Sequence, residues 1–152
     1  MTISYKQNDT QQYMVTLIEG ELTIPEIVAH IEQTILMSDS IHEWIELVDC
    51  SGVNNVSGLS GACIRNAASL EKKQQWAAGS RSALVVTSAL HYGLARIFSA
   101  VASEANKNIQ VFKSMDKAIE WLGLEEEKQE LLRIHGELVV ASEKQAGETP
   151  LK

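Results

Sequence analysis

The 152-residue sequence has little cysteine, an excess of acid over base and no long apolar run. Two cysteines, Cys50 and Cys63, are too few for a disulfide framework; they are expected to be reduced thiols in apolar surroundings, at a strand end and on a helix face. Thirteen basic residues stand against twenty acidic ones, giving a net charge of −7. That balance disfavours nucleic-acid binding by the whole surface, because phosphates call for a basic patch. The first ten residues hold neither a basic cluster nor an apolar stretch, so no secretory signal is expected there. The longest charge-free apolar stretch, residues 82–95, is too short to span a bilayer and contains His91. A soluble, cytoplasmic protein is the expectation, with no transmembrane segment.

Motifs for nucleotide, acyl-transfer and metal chemistry are also missing. Gly58-Leu59-Ser60-Gly61 lacks the lysine of a phosphate-binding loop, no G-x-G-x-x-G occurs, and the nucleophile-elbow spacing fails by one residue. His42-Glu43 is not followed by the second histidine of a zinc protease, and His30, His42, His91 and His135 are scattered without paired spacing. No metal and no cofactor is therefore expected, and a non-catalytic role is the reading. Of the four histidines, three are expected at the surface, and His91, near a strand's carboxyl end, is the one of interest.

What is present is a composition fit for one folded domain, with 45% hydrophobic and 22% charged residues. The charge is segregated: nine acids against one base in residues 1–60, three against eight in 61–117, eight against four in 118–152. Such a division can give a field with two poles and leave a basic face for an acidic partner or anionic headgroups.

Apolar periodicity gives the elements. Residues 3–5 and 13–22 read as a hairpin across a turn that contains Asn8-Asp9. Thr23 and Glu26 read as a capping box opening a helix to about Met37, with Ile24, Ile27, Val28, Ile31 and Ile35 on its inner stripe. Residues 44–48 read as a buried strand ending in the turn Asp49-Cys50-Ser51-Gly52. Val56, Leu59, Cys63, Ala67 and Leu70 mark a second helix, residues 83–87 a strand, and residues 109–112 a last strand. Ser114 caps a fourth helix closed by Gly123. Between those strands, Leu90, Leu94, Ile97, Phe98 and Val101 mark a third helix, whose stripe is expected to be ordinary core rather than the wall of a ligand site. Strands alternating with helices predict a mixed α/β sheet. Residues 125–152 read as an added helix with a frayed tail from about Ala146, and its Leu131, Leu138 and Val139 as apolar surface available for self-association, as in a homodimer.

In open α/β sheets ligands gather at the carboxyl ends of strands. Asp49, Ser51, Ser88, His91 and Arg96 are the residues this rule selects as a ligand or partner rim. Ser57 or Ser60 can accept a phosphate at a helix N-terminus, where negative charge is favoured. Asp49, Thr87 and Lys113 imitate the aspartate, hydroxyl and lysine of a receiver domain, although the acidic pair that would hold Mg²⁺ is missing.

The segment Asp49-Cys50-Ser51-Gly52-Val53 resembles the D-x-S-G-V motif of STAS domains, the bacterial anti-sigma-factor antagonists. Residues 83–88, then His91-Tyr92-Gly93-Leu94-Ala95-Arg96-Ile97-Phe98, Val111-Phe112 and Ala118-Ile119-Glu120-Trp121-Leu122, are more similar to the small SpoIIAA-like (STAS/SEC14-like) bacterial proteins, over about residues 3–124. The resemblance implies a SpoIIAA-like mixed sheet of four or five strands with helices packed on it (residues 1–124), plus the extra C-terminal helix (residues 125–152). It implies a regulatory or ligand-binding module acting on a protein partner or a small ligand. Its lipid-carrier side implies, as an alternative, a carrier of a small apolar or lipid-like ligand, which leaves room for peripheral membrane contact. In the antagonists a phosphorylated serine begins the following helix, and that position falls on Gly58 here, which argues against the sigma-factor switch.

Overall fold

In the computed structural model, which describes residues 3–147, alternating side chains build a five-stranded sheet. Strands β1 (Ile3–Gln7) and β2 (Met14–Glu21) pair antiparallel as the expected hairpin. The Asn8 side chain closes it, its Oδ1 accepting from the backbone N–H of Gln12 and Tyr13 at 2.7 and 3.0 Å. From β2 onward the pairing is parallel through β3 (Ile45–Asn55), β4 (Arg81–Val85) and β5 (Asn108–Phe112), and spatial order follows chain order. Each parallel step needs a crossover helix: α1 (Ile24–Met37), α2 (Gly61–Ala68, continued by a 3₁₀ turn at Ser69–Lys73) and α3 (Ala89–Ala102). Because every right-handed crossover here advances in the same direction across the sheet, all three helices fall on one face. The other face receives α4 (Met115–Leu122) and α5 (Lys128–Gly147). The five-stranded mixed sheet with a C-terminal helix is the architecture the sequence predicts.

The face under α4 and α5 holds the densest core. Val15, Leu17, Leu47, Ala83 and Val85 of the sheet meet Ala118, Ile119 and Leu122 of α4 and Leu131 and Ile134 of α5, all buried. The terminal helix is thus part of the main core, and Leu131 and Leu138, expected to be spare surface, are buried within it. They cover β2, which α4 alone leaves open. Gly123 ends α4 with φ +76, the left-handed closure expected there. The helix α5 runs through Ala146 to Gly147; the tail beyond lies outside the described residues.

Three local readings need correction. Asp49 to Gly52 is not a turn: β3 continues through it to Asn55, paired with β2 as far as Glu21. A glycine is needed at 52 because a Cβ there would meet Glu19 Cγ at 2.9 Å. Thr23 does not take a backbone N–H; its hydroxyl donates to Glu26 Oε1 at 2.8 Å instead. Cys63 is exposed on α2, whose inward residues are Ile64, Ala67 and Ala68, so the apolar spacing through Val56 and Leu59 belongs to the approach loop.

Candidate functional site

The face under α1, α2 and α3 is packed differently. Leu94, Ile97, Phe98 and Val101 of α3 are only half-buried, and Ala102 is the helix's one fully buried residue. The third-helix stripe is therefore not ordinary core throughout: between it and the sheet lies a cavity of about 130 Å³. Its sheet wall is Ile18, Val48, Cys50 and Leu84, and its helical wall is Ile27 and Ile31 of α1, Ile64 of α2, and His91, Leu94 and Phe98 of α3. Void space among such side chains forfeits dispersion contacts, so it is kept at a cost in stability. Leu90, at the start of α3, is 64% exposed.

One end of this apolar space is charged. Glu46, second residue of β3, is buried and its carboxylate accepts three hydrogen bonds. Thr16 Oγ1 donates at 2.5 Å, Trp44 Nε1 at 3.2 Å, and His30 Nε2 of α1 lies at 2.8 Å. Burial pushes this carboxyl up, but His30, Lys107 and the Thr16 hydroxyl outweigh it and hold it at about 2. Beside it, Lys107, 2% exposed, donates to Glu71 Oε2 at 3.2 Å and stands 4.1 Å over the Trp76 ring. Burial raises the Glu71 carboxyl, and Lys107 recovers only part of that. His30, Glu46, Glu71 and Lys107 all line the cavity. His30 and one further lining residue carry buried atoms without a partner among the described residues: His30 Nδ1 and Ser82 Oγ. Ser82 stands directly opposite Glu46 in the β3–β4 register, so both orphaned atoms belong to residues that flank one carboxylate.

The residues selected from the sequence as a rim are not brought together. Asp49 is buried in mid-strand, on the face covered by α5; its Oδ2 is 2.8 Å from His135 Nε2 and its Oδ1 accepts the Ser51 N–H at 2.9 Å. Burial raises its carboxyl, and the bonds from His135 and Ser51 bring it below the ordinary value. Strand alternation puts it across the sheet from His91, which lines the cavity. Ser51 is exposed. Ser88 caps α3, its Oγ accepting the His91 N–H at 3.1 Å. Arg96 is exposed, 5.9 Å from the Tyr92 ring centroid and outside the cavity. Ser60 caps α2, accepting from the Cys63 N–H at 3.1 Å, whereas Ser57 is exposed and caps nothing. The receiver-like set is dispersed too: Thr87 and Lys113 are exposed, Lys113 lies 5.0 Å over the Tyr92 ring, and the Asp49 carboxylate is engaged by α5.

No family model and no curated protein matches this chain. A solved structure does. It is an uncharacterized protein from the DUF3478 family with a SpoIIAA-like fold, from Shewanella loihica PV-4, 15% identical, covering 79% of this chain and 91% of that one at a TM-score of 0.49. Its description names the fold that the sequence resembles; the architecture itself is read from the strand order above, and no residue role is carried over from the neighbour.

The sequence reading missed His30, Glu46, Glu71 and Lys107, and it placed three histidines at the surface where only His42 is exposed. A signal existed. Glu46 interrupts the apolar run 44–48 on the same strand face as Trp44 and Val48, and His30 and Thr34 fall within the inner stripe of Ile27 and Ile31. A lone charge on a buried face calls for a partner from another element.

Proposed function

We propose that this protein is a non-catalytic, cytoplasmic binding module for a small, mostly apolar molecule, the carrier reading of its sequence resemblance. The observation that supports this is the cavity of about 130 Å³ between the sheet and α3, lined by aliphatic and aromatic side chains at a position where a finished core would be filled. Space of this order accepts a guest about the size of benzene. Among the described residues that line the cavity, no nucleophile, base and orienting group surround an open position: its two buried carboxylates, Glu46 and Glu71, are engaged by His30 and Lys107. Among the described residues no helix is long and apolar enough to cross a membrane. The receiver-like alternative has no support in the geometry, because Asp49 is inaccessible beneath α5.

The test is a titration of the isotope-labelled protein with toluene, read by methyl NMR. Saturable shifts confined to the methyl groups of Ile18, Val48, Leu84 and Leu94 are expected, and Leu94→Trp, which fills the space, abolishes them. Absence of saturable shifts in the wild-type protein would overturn the proposal.

A further inference from the structure

We infer that the cavity selects an apolar molecule bearing one uncharged hydroxyl group, an alcohol or a phenol, seated with that hydroxyl against His30 and Ser82. This rests on the binding reading above and concerns what kind of guest the site takes. The wall would accept any small hydrocarbon, so selectivity must come from the charged end.

Each carboxylate there already faces a basic side chain. Glu46 faces His30 at 2.8 Å, and Glu71 faces Lys107 at 3.2 Å. A carboxylate or phosphate on the guest would meet the Glu46 and Glu71 carboxylates among largely apolar walls, and an ammonium group would meet Lys107 and His30. Either ion would give up its hydration with no free counter-charge to receive it. An uncharged polar group does not meet that barrier.

The two orphaned atoms define which uncharged group fits. The ionised Glu46 carboxylate can only accept, so His30 Nε2 carries the proton that lies between them. Nδ1 is then a lone pair if the ring is neutral and an N–H donor if it is charged. Ser82 Oγ can donate or accept. A hydroxyl both donates and accepts, so it can partner Nδ1 in either state and can equally partner Ser82 Oγ. A carbonyl only accepts and serves Nδ1 in one state alone. Hydrocarbon serves neither atom and leaves both as they are, without a partner. The cavity has room for roughly six to eight non-hydrogen atoms, so the hydroxyl is borne on a short chain or a single ring.

Toluene, benzyl alcohol and benzoate share one ring and differ only at the head, and their affinities for the full chain can be measured by the same methyl NMR titration. Benzyl alcohol is expected to bind about tenfold more tightly than toluene, the effect of one to two recovered hydrogen bonds, and benzoate at least about tenfold more weakly than benzyl alcohol. Ser82→Ala removes a hydroxyl that has no partner, so the fold is retained. In that variant the preference for benzyl alcohol over toluene shrinks to about threefold or less while the toluene affinity stays unchanged. Equal binding of toluene and benzyl alcohol, a preference for benzoate, or an undiminished ratio in Ser82→Ala would each overturn this inference while leaving the binding reading intact. Failure of all three compounds to bind would overturn both.

Discussion

One sheet carries two faces that were filled to different standards. On the α4–α5 side, Ala118, Ile119, Leu122, Leu131 and Ile134 are buried almost to the last square ångström, and the Tyr13 hydroxyl, whose pKa burial raises to about 12, is the one orphaned side-chain polar atom among the described residues. On the α1–α3 side a void separates part of α3 from the strands, the α3 stripe is half-exposed, and Glu46, Glu71 and Lys107 are buried at its end beside the half-buried His30. The strands contribute to both faces through the same alternation: Leu47 looks one way, Glu46 and Val48 the other. The difference therefore lies in what the helices bring. The first face is where stability is made, and the second gives some of it up to keep a space with a polar end.

That contrast can be broken by substitution, and the largest effect is expected at the charged end. Lys107→Ala leaves Glu71 buried without its counter-charge and should cost about 3–5 kcal/mol in urea unfolding. A loss below about 1 kcal/mol would mean that this end is wet and open. Ile134→Ala on the packed face should cost about 2–5 kcal/mol, because the surrounding core cannot close over the deleted atoms.

Acid titration of a Glu46 variant probes the second face. The Glu46 carboxyl drops from 4.5 to about 2 on folding, so its contribution is fully present above the unfolded value and is lost as pH falls through the folded one. The shift corresponds to about 3 kcal/mol. Glu71, raised on folding, works in the opposite sense, its contribution being present at low pH and lost as pH rises. Glu46→Gln should therefore flatten the fall in stability between about pH 4.5 and 2 that unfolding curves show for the wild type. An unchanged acid limb would contradict the pairing of Glu46 with His30.

Smaller effects sharpen the comparison. Leu94→Ala removes a half-exposed side chain with few packed neighbours to lose and should cost about 1 kcal/mol or less, against the larger loss at the buried Ile134; equal losses would erase the distinction between the faces. Smallest is Glu137→Ala, which removes the partner of Lys6 at 2.9 Å, a pair about half exposed on both sides, and should shift stability by no more than about 0.5 kcal/mol.

The packed face was legible in the sequence and the open one was not, for a physical reason. Periodicity registers apolar side chains that meet a neighbouring element, so it found β2, β4, α4 and the stripe of α3. It cannot register whether the space against that stripe is filled. Motif rules failed in the same way at Asp49-Cys50-Ser51-Gly52-Val53, where the glycine serves the passage of Glu19 rather than a turn. The partner of Asp49 is His135, 86 residues away on α5, a contact no local pattern contains. Charge counting treated Glu46, Glu71 and Lys107 as members of segregated blocks, and His30 was expected at the surface, yet each is paired across elements and turned inward.

The claim that the α3 face is a binding site is tested most directly by intermolecular NOEs between saturating benzyl alcohol and the methyl-labelled protein. The ring protons are predicted to contact the methyl groups of Ile18, Val48, Leu84 and Leu94 and none on the α4–α5 face. NOEs to Leu131 and Ile134 instead, or none at all, would contradict it.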